Sequence, residues 1–349
     1  MGIVSSCCNQ SLLGRGKSGR TGGGEMLAAV VKEFGGPNVI KVLSNVPIPV
    51  IQSSEQILIR VAASGVNPVD TYIRNGQYAS KPNLPYTPGK DGAGIVADIG
   101  SEVRDVEIGD RVYFAFSVTG SAAEYCLTDR VFPLPSEVTF QEGACIGIPY
   151  FTAHRALFVL GKVQKGQRVL VHGASGGVGI AAVQMAADYG AVVVGTAGTD
   201  EGMDLVKQNG ATEAFNHKAR GYVKAIMEKY PEGFDLIVEM AAHLNLKHDL
   251  DMLARKGKVA IVGSRGEIKI DPRAFMMKET SVFGLALANS TPDDWEMGSS
   301  HIYNLLSSSH YRPIIERVYP LEDISTAHKD VMAARGTRGK LILSINDKL

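Results

Sequence analysis

Hydrophobic and polar positions change rhythm once along the chain. From Met26 to about Cys145, short runs rich in β-branched or aromatic residues (Leu27–Val31, Gln56–Val61, Gly94–Ile99 and Arg111–Phe114) are separated by Gly and Pro. That is the pattern of short strands bounded by turns. Gly109-Asp-Arg-Val112 reads as a turn leading into a strand, and Pro82, Pro85 and Pro88 stiffen a loop ahead of Gly89. From Ile146 onward strands alternate with helices. Arg168–His172, Ala191–Thr196, Phe234–Met240 and Lys258–Val262 read as strands. Gly177–Tyr189, Glu201–Asn209 and Leu246–Arg255 read as helices stopped by Gly190, Gly210 and Gly257. Alternation of this kind predicts a doubly wound parallel sheet, so the fold class is α/β with a separate β-rich domain. The stretch from about Ser290 returns to helix and strand, and its last strand, Gly339–Ser344, is able to complete the sheet of the first domain.

Composition narrows the possibilities. The 349 residues suffice for two domains with separate cores. Lys+Arg and Asp+Glu both total 36, so the formal net charge is zero and there is no electrostatic case for nucleic acid. No apolar run approaches the roughly 18 residues of a membrane span. The four cysteines, Cys7, Cys8, Cys126 and Cys145, have neither CxxC spacing nor an even framework. A disulfide scaffold and a four-cysteine zinc lobe are excluded, and a reducing, cytoplasmic compartment is expected.

Residues 1–25 stand apart as a flexible, basic, glycine-rich tail. Met1-Gly2-Ile3-Val4-Ser5-Ser6 matches the N-myristoylation pattern, with Cys7 and Cys8 as palmitoylation sites and Arg15, Lys17 and Arg20 as partners for anionic lipid. The alternatives stay open: peripheral membrane association through this tail, or an unmodified extension with Met26 as the working start.

The most specific chemical signal is Val171-His-Gly-Ala-Ser-Gly-Gly-Val-Gly179, which follows one predicted strand and opens a helix. Ala174, Gly176 and Gly179 supply the small residues that let backbone approach a pyrophosphate and let the helix pack on its strand, with free amides facing the anion. An NAD site usually carries Asp or Glu at the tip of the second strand, about 20 residues on. Here that strand ends Val194-Gly-Thr-Ala-Gly198, without a carboxylate, while Asp200 and Glu201 fall at the start of the next helix. A 2′-phosphate would meet no like charge there, which favours NADPH. Its cationic partner is left among His217, Lys218, Arg265, Arg335, Arg338 and Lys340.

Seven strings together resemble the zinc-free, zeta-crystallin-like quinone oxidoreductase branch of the medium-chain dehydrogenase/reductase superfamily. They are Glu33–Pro37, Gly65–Arg74, Leu84–Gly89, Gly147–Ala153, His172–Gly179, Gly195–Thr199 and Val262–Gly266, and they span the chain from Met26 onward. The resemblance implies a GroES-like β-rich catalytic domain from residues 26–145 with 291–349. It also implies a Rossmann cofactor domain over 146–290, a cleft between the two, and a homodimer or homotetramer. Cofactor contacts carried over by it are Tyr72, Ser175, Gly176, Gly177, Val178, Gly198, His217, Asn245, Val262, Gly263, Ser264 and Arg265. Zinc-dependent members of the superfamily carry a Cys after Gly-Val, a His-Glu after a later Gly and a third ligand near the domain junction. The corresponding strings here are Gly65-Val66-Asn67, Gly89-Lys90-Asp91 and Gly147-Ile148, which cannot supply a thiolate–imidazole sphere.

Without a Lewis acid the chemistry suits acceptors that need little electrophilic help, such as quinones or other conjugated carbonyls. Tyr72 and Asn67, on a stretch read as a loop, are the candidate catalytic donors. Asp70 is read as an exposed turn residue or as an orienter of that loop, and Cys126 and Cys145 as buried apolar groups. The sequence leaves open one- against two-electron reduction. It also leaves open an NADPH-dependent enone or 2-alkenal reductase, and a non-catalytic NADPH-binding protein with a structural or RNA-binding role.

Overall fold

The computed structural model describes residues 23–307, 311–333 and 336–349. The lipidation motif at Gly2, Cys7 and Cys8, together with Arg335, lies outside the described residues. No helix among the described residues is long and apolar enough to cross a membrane.

Six short parallel strands form the first sheet, in the spatial order Glu213–Asn216, Val192–Ala197, Arg168–Val171, Phe234–Glu239, Leu253–Ile261, Ser281–Gly284. The central ones are Val- and Ile-rich and buried on both faces, as strands sandwiched between helices must be. The chain starts at Arg168–Val171, winds outward to one side, then returns to Phe234–Glu239 and winds to the other. The strand order reverses between these two neighbours, which opens a crevice at their carboxyl ends. The helix Gly177–Asp188 buries its Ala-rich faces, from Gly179 through Ala186.

A second, mainly antiparallel sheet runs Ile315–Pro320, Lys340–Ser344, Ile57–Val66, Asp91–Ile99, Arg111–Ala115, Val131–Pro133, with Tyr125–Thr128 also pairing to Ile57–Val66. Lys340–Ser344 therefore lies inside this sheet, antiparallel to Ile57–Val66. A hairpin of Glu25–Val31 with Ile40–Pro47 packs alongside.

Three expectations need correction. The helix expected at Leu246–Arg255 is Ala242–Met252, and Gly257 does not stop it: Leu253–Ile261 is one strand running through Gly257. The stretch Asn67–Tyr72 is not a loop but the start of a helix, Pro68–Arg74, capped by Asn67. Asp70 is not an exposed turn residue. It is 3% exposed and completes the capping box by accepting from Asn67 N at 2.8 Å. Cys126 and Cys145 are buried free thiols.

Candidate active site

Five chain segments that follow carboxyl ends of the parallel strands meet at the crevice. They are His172–Gly179, Gly198, His217–Lys218, Ala241–Asn245 and Val262–Arg265. At the first, a Cβ on Gly179 would lie 2.3 Å from the Gly173 carbonyl oxygen and 2.6 Å from Ala174 Cα, so only glycine lets the helix pack on its turn. Gly176 differs, because a Cβ there would meet nothing closer than the Gly173 oxygen at 3.5 Å. Its smallness serves no packing inside the protein and keeps the face above the turn open. The helix that starts at Gly177 has no side-chain cap and no acidic residue in its first turn. Its amino terminus thus offers amide hydrogens and the positive end of its dipole to an anion. The next helix, Asp200–Gln208, is instead capped by Thr199 and carries Asp200 and Glu201 in its first turn. The first terminus fits a diphosphate and the second does not.

Gly198 faces His217 and Lys218: a Cβ there would lie 2.9 Å from His217 Nε2 and 3.3 Å from Lys218 Nζ. Burial, followed by the nearby His172 and Lys218, lowers the His217 pKa below the usual imidazole value. Lys218 is left to carry positive charge at this spot. Arg338 is exposed, whereas Lys340 is buried away from it. Lys340 is therefore withdrawn from the group of 2′-phosphate partners.

Beneath the crevice lies a buried charge cluster. His172 Nε2 is 3.0 Å from Asp249 Oδ1 and 3.7 Å from Glu239 Oε2, and His172 Nδ1 is 3.2 Å from Thr196 Oγ1. Burial alone would lower His172, but the Asp249 hydrogen bond and the charges of Glu239 and Asp249 raise its pKa. Burial raises Glu239. Asn245 donates to both Glu239 carboxylate oxygens at 3.2 Å, so its amide is held from below. Val262 N and Gly263 N donate to the Glu239 carbonyl, and Ser264 Oγ to the Gly266 carbonyl. Ser175 Oγ is likewise engaged, donating to the Thr337 carbonyl at 2.7 Å.

Across the crevice, Arg265 Nε donates to the Tyr72 hydroxyl at 3.1 Å. Asn67, the other donor candidate, is 3% exposed, and its Nδ2 donates to Asp91 Oδ1 at 2.7 Å while its Oδ1 accepts from Lys340 Nζ. Asp91 Oδ2 accepts from Ile148 N at 2.9 Å and from Lys340 Nζ at 3.1 Å. The three strings that would carry zinc ligands therefore converge on one buried carboxylate that already holds a lysine ammonium. Such a donor set does not fit a metal cation. Removing either member of the buried pair would cost about 3–5 kcal/mol. Asp70, close by, is pushed up to about 7 by burial and by Asp91, against the hydrogen bond from Asn67 and the charges of Lys340 and Lys90.

Asp91 and His172 were not singled out as site residues from the sequence, and Lys340 was named only as a candidate partner of the 2′-phosphate. The available signal was a carboxylate opening an apolar strand, Asp91-Gly-Ala-Gly-Ile-Val, and a histidine ending another.

Family models bear on this geometry directly. The alcohol dehydrogenase GroES-like domain matches residues 53–140, and the zinc-binding dehydrogenase model matches 177–302. The quinone oxidoreductase of Sus scrofa is 49% identical over 326 residues, covering 93% of this chain and 99% of that one. That of Mus musculus is 47% identical over 328 residues, with the same coverage. This chain belongs to the quinone oxidoreductase family. Among solved structures, the Escherichia coli quinone oxidoreductase complexed with NADPH matches with a TM-score of 0.83 and 26% identity, over 91% of this chain and 99% of that one. The model matching the second half is named for zinc binding, whereas the strings holding Asn67, Asp91 and Ile148 supply no thiolate or imidazole.

Proposed function

We propose that the protein reduces quinones with NADPH, without a metal, in the cleft between a catalytic domain (26–145 with 291–349) and a cofactor domain (146–290). The observation that carries this reading is the Tyr72–Arg265 contact, which joins the helix Pro68–Arg74 to a segment that follows a strand of the parallel sheet. The backbone of Ser175–Val178 holds the diphosphate. Lys218, with neutral His217 beside Gly198 and Arg265 beyond, receives the 2′-phosphate, and Asn245 with Val262–Ser264 lines the remainder. Bound there, the dinucleotide supplies a hydride from C4 of its nicotinamide.

Negative charge building on a quinone oxygen is met by neutral donors. Tyr72 accepts from Arg265 and keeps its own hydrogen for the substrate, and each well-placed donor is worth about 3 kcal/mol in a dry site. Asn67 offers a second amide hydrogen from the cap of the same helix. Water delivers the proton, so no dedicated acid is required. Buried free thiols suit a reducing cytoplasm.

A cofactor and substrate panel tests the reading. Purified protein should oxidise NADPH faster than NADH with 9,10-phenanthrenequinone or 1,4-benzoquinone. Turnover with 2-alkenals alone would move the function to enone reduction, and NADPH binding without turnover on any acceptor would overturn the enzymatic reading.

A further inference from the structure

The short segment Thr337–Lys340 touches both halves of the site. Thr337 accepts from Ser175 Oγ at 2.7 Å, and Gly339 N donates to the Ser175 carbonyl at 2.7 Å. The stem of Lys340 then passes along the phosphate turn, so that a Cβ on Gly177 would lie 3.4 Å from its Cδ. Its ammonium ends on Asn67 Oδ1 and Asp91 Oδ2. One stretch of four residues therefore holds the turn with its backbone and the Asn67 amide with its side chain.

The chemistry of these partners fixes how Asn67 is oriented. A lysine ammonium only donates, so the Asn67 atom facing it is the oxygen. A carboxylate only accepts, so the atom facing Asp91 is the nitrogen. One amide hydrogen goes to Asp91, and the second N–H is left for another acceptor. The ammonium fixes the oxygen side and the carboxylate the nitrogen side; with both replaced, nothing in this set of contacts would prevent the amide from turning over.

We propose that Lys340 is a positioning residue for quinone reduction. It holds the Asn67 amide so that the second N–H donates to the substrate oxygen. Because it grows from the segment bonded to Ser175, it also keeps that donor in register with the dinucleotide on the turn. The inference rests on the quinone reductase reading of the same site. The competing role is simpler: Lys340 neutralises Asp91 and does nothing more.

Three variants separate the two. Lys340→Met with Asp91→Asn removes both charges and so relieves the unpaired carboxylate. It should recover the wild-type Tm yet turn over quinone about 30- to 100-fold more slowly, with NADPH affinity from fluorescence titration within about threefold of wild type. Lys340→Arg, which keeps a cationic donor for both partners, should hold kcat within about tenfold. Asn67→Ser retains a helix cap and leaves the Lys340–Asp91 pair in place, so it folds, and it should show the same loss in kcat as the double variant. Wild-type kcat in either the double variant or Asn67→Ser overturns the proposal, as do parallel losses of kcat and NADPH affinity. Wild-type protein that oxidises no NADPH in the presence of quinones would remove the enzymatic reading itself, a result visible before any variant is made.

Discussion

Arg265 reaches across the cleft to Tyr72, its Nε 3.1 Å from the phenol oxygen, and so ties the segment after strand Leu253–Ile261 to the helix Pro68–Arg74. A guanidinium on the lone pair polarises the phenol toward donation. Tyr72→Phe should therefore lower kcat for quinone by about 100-fold, at the low end of the range seen for loss of one charge-stabilising donor. NADPH affinity should change less than about threefold. Equal losses in both, measured by steady-state kinetics and direct titration, would make the hydroxyl chiefly a cofactor contact.

The two glycines of the turn should fail in different ways. Gly176→Leu places a side chain where the protein has open space, so the fold should keep its Tm while NADPH binding is lost. Gly179→Ala drives a methyl group against the Gly173 carbonyl and Ala174, so it should lower Tm. Thermal melts with and without NADPH distinguish them: the first variant melts normally and ignores the nucleotide.

The proposed seat of the 2′-phosphate beside Gly198 makes Lys218 the residue to test for coenzyme choice. Lys218→Ala should raise KM for NADPH about tenfold and leave KM for NADH nearly unchanged. An equal effect on both would assign the residue to general surface charge, and full retention of NADPH preference would shift the 2′-phosphate to Arg265.

Asp70 gives a pH signature with a definite sign. Its carboxyl titrates at about 7 in the folded chain against 3.8 ordinarily, so between those values the folded protein holds a proton that the unfolded chain releases. The stability this contributes is fully present below 3.8 and is lost as pH rises through about 7. Asp70→Asn removes the titration while keeping an acceptor for Asn67 N. The Tm of the variant, relative to wild type, should rise from pH 5 to about 7 and level off above it, at roughly 1–2 °C per kcal/mol for a chain of 349 residues. Burial lowers His154 and His328 to about 4 and about 3, which gives the opposite slope, but these are common to both proteins and cancel in the difference. A constant Tm difference across the range would refute the assignment.

Chelation should leave the enzyme untouched. The acceptor oxygens of Asn67 and Asp91 are already taken by Lys340, by the Ile148 amide and by the Asn67 amide nitrogen. Dialysis against 1,10-phenanthroline, followed by assay and metal analysis, checks this, and loss of turnover restored by zinc would contradict it.

What the sequence made legible was local. The phosphate turn spells out strand, small residues and helix within a dozen positions, and the alternation after Ile146 specifies a parallel sheet because each unit is built from neighbours in the chain. The helix Pro68–Arg74 is too short for a periodic signal, and its one clue was Asn67 followed three residues later by Asp70. Gly257 looked like a helix stop, yet it lies in an irregularity of one strand: Leu253 pairs with Phe234, residues 254–257 are skipped, and pairing resumes at Lys258 with Leu236. The Lys340 network joins residues separated by 249 and 273 positions, and only tertiary packing brings those together.

Strand Lys340–Ser344 sits between Ile315–Pro320 and Ile57–Val66 rather than at a border of its sheet. During translation, the nucleotide platform is contiguous and can assemble while the polypeptide is still emerging. Its counterpart, the second sheet, must wait for Lys340–Ser344. A chain cut short of Lys340 would carry the whole parallel sheet yet leave a gap between Ile315–Pro320 and Ile57–Val66 in the other.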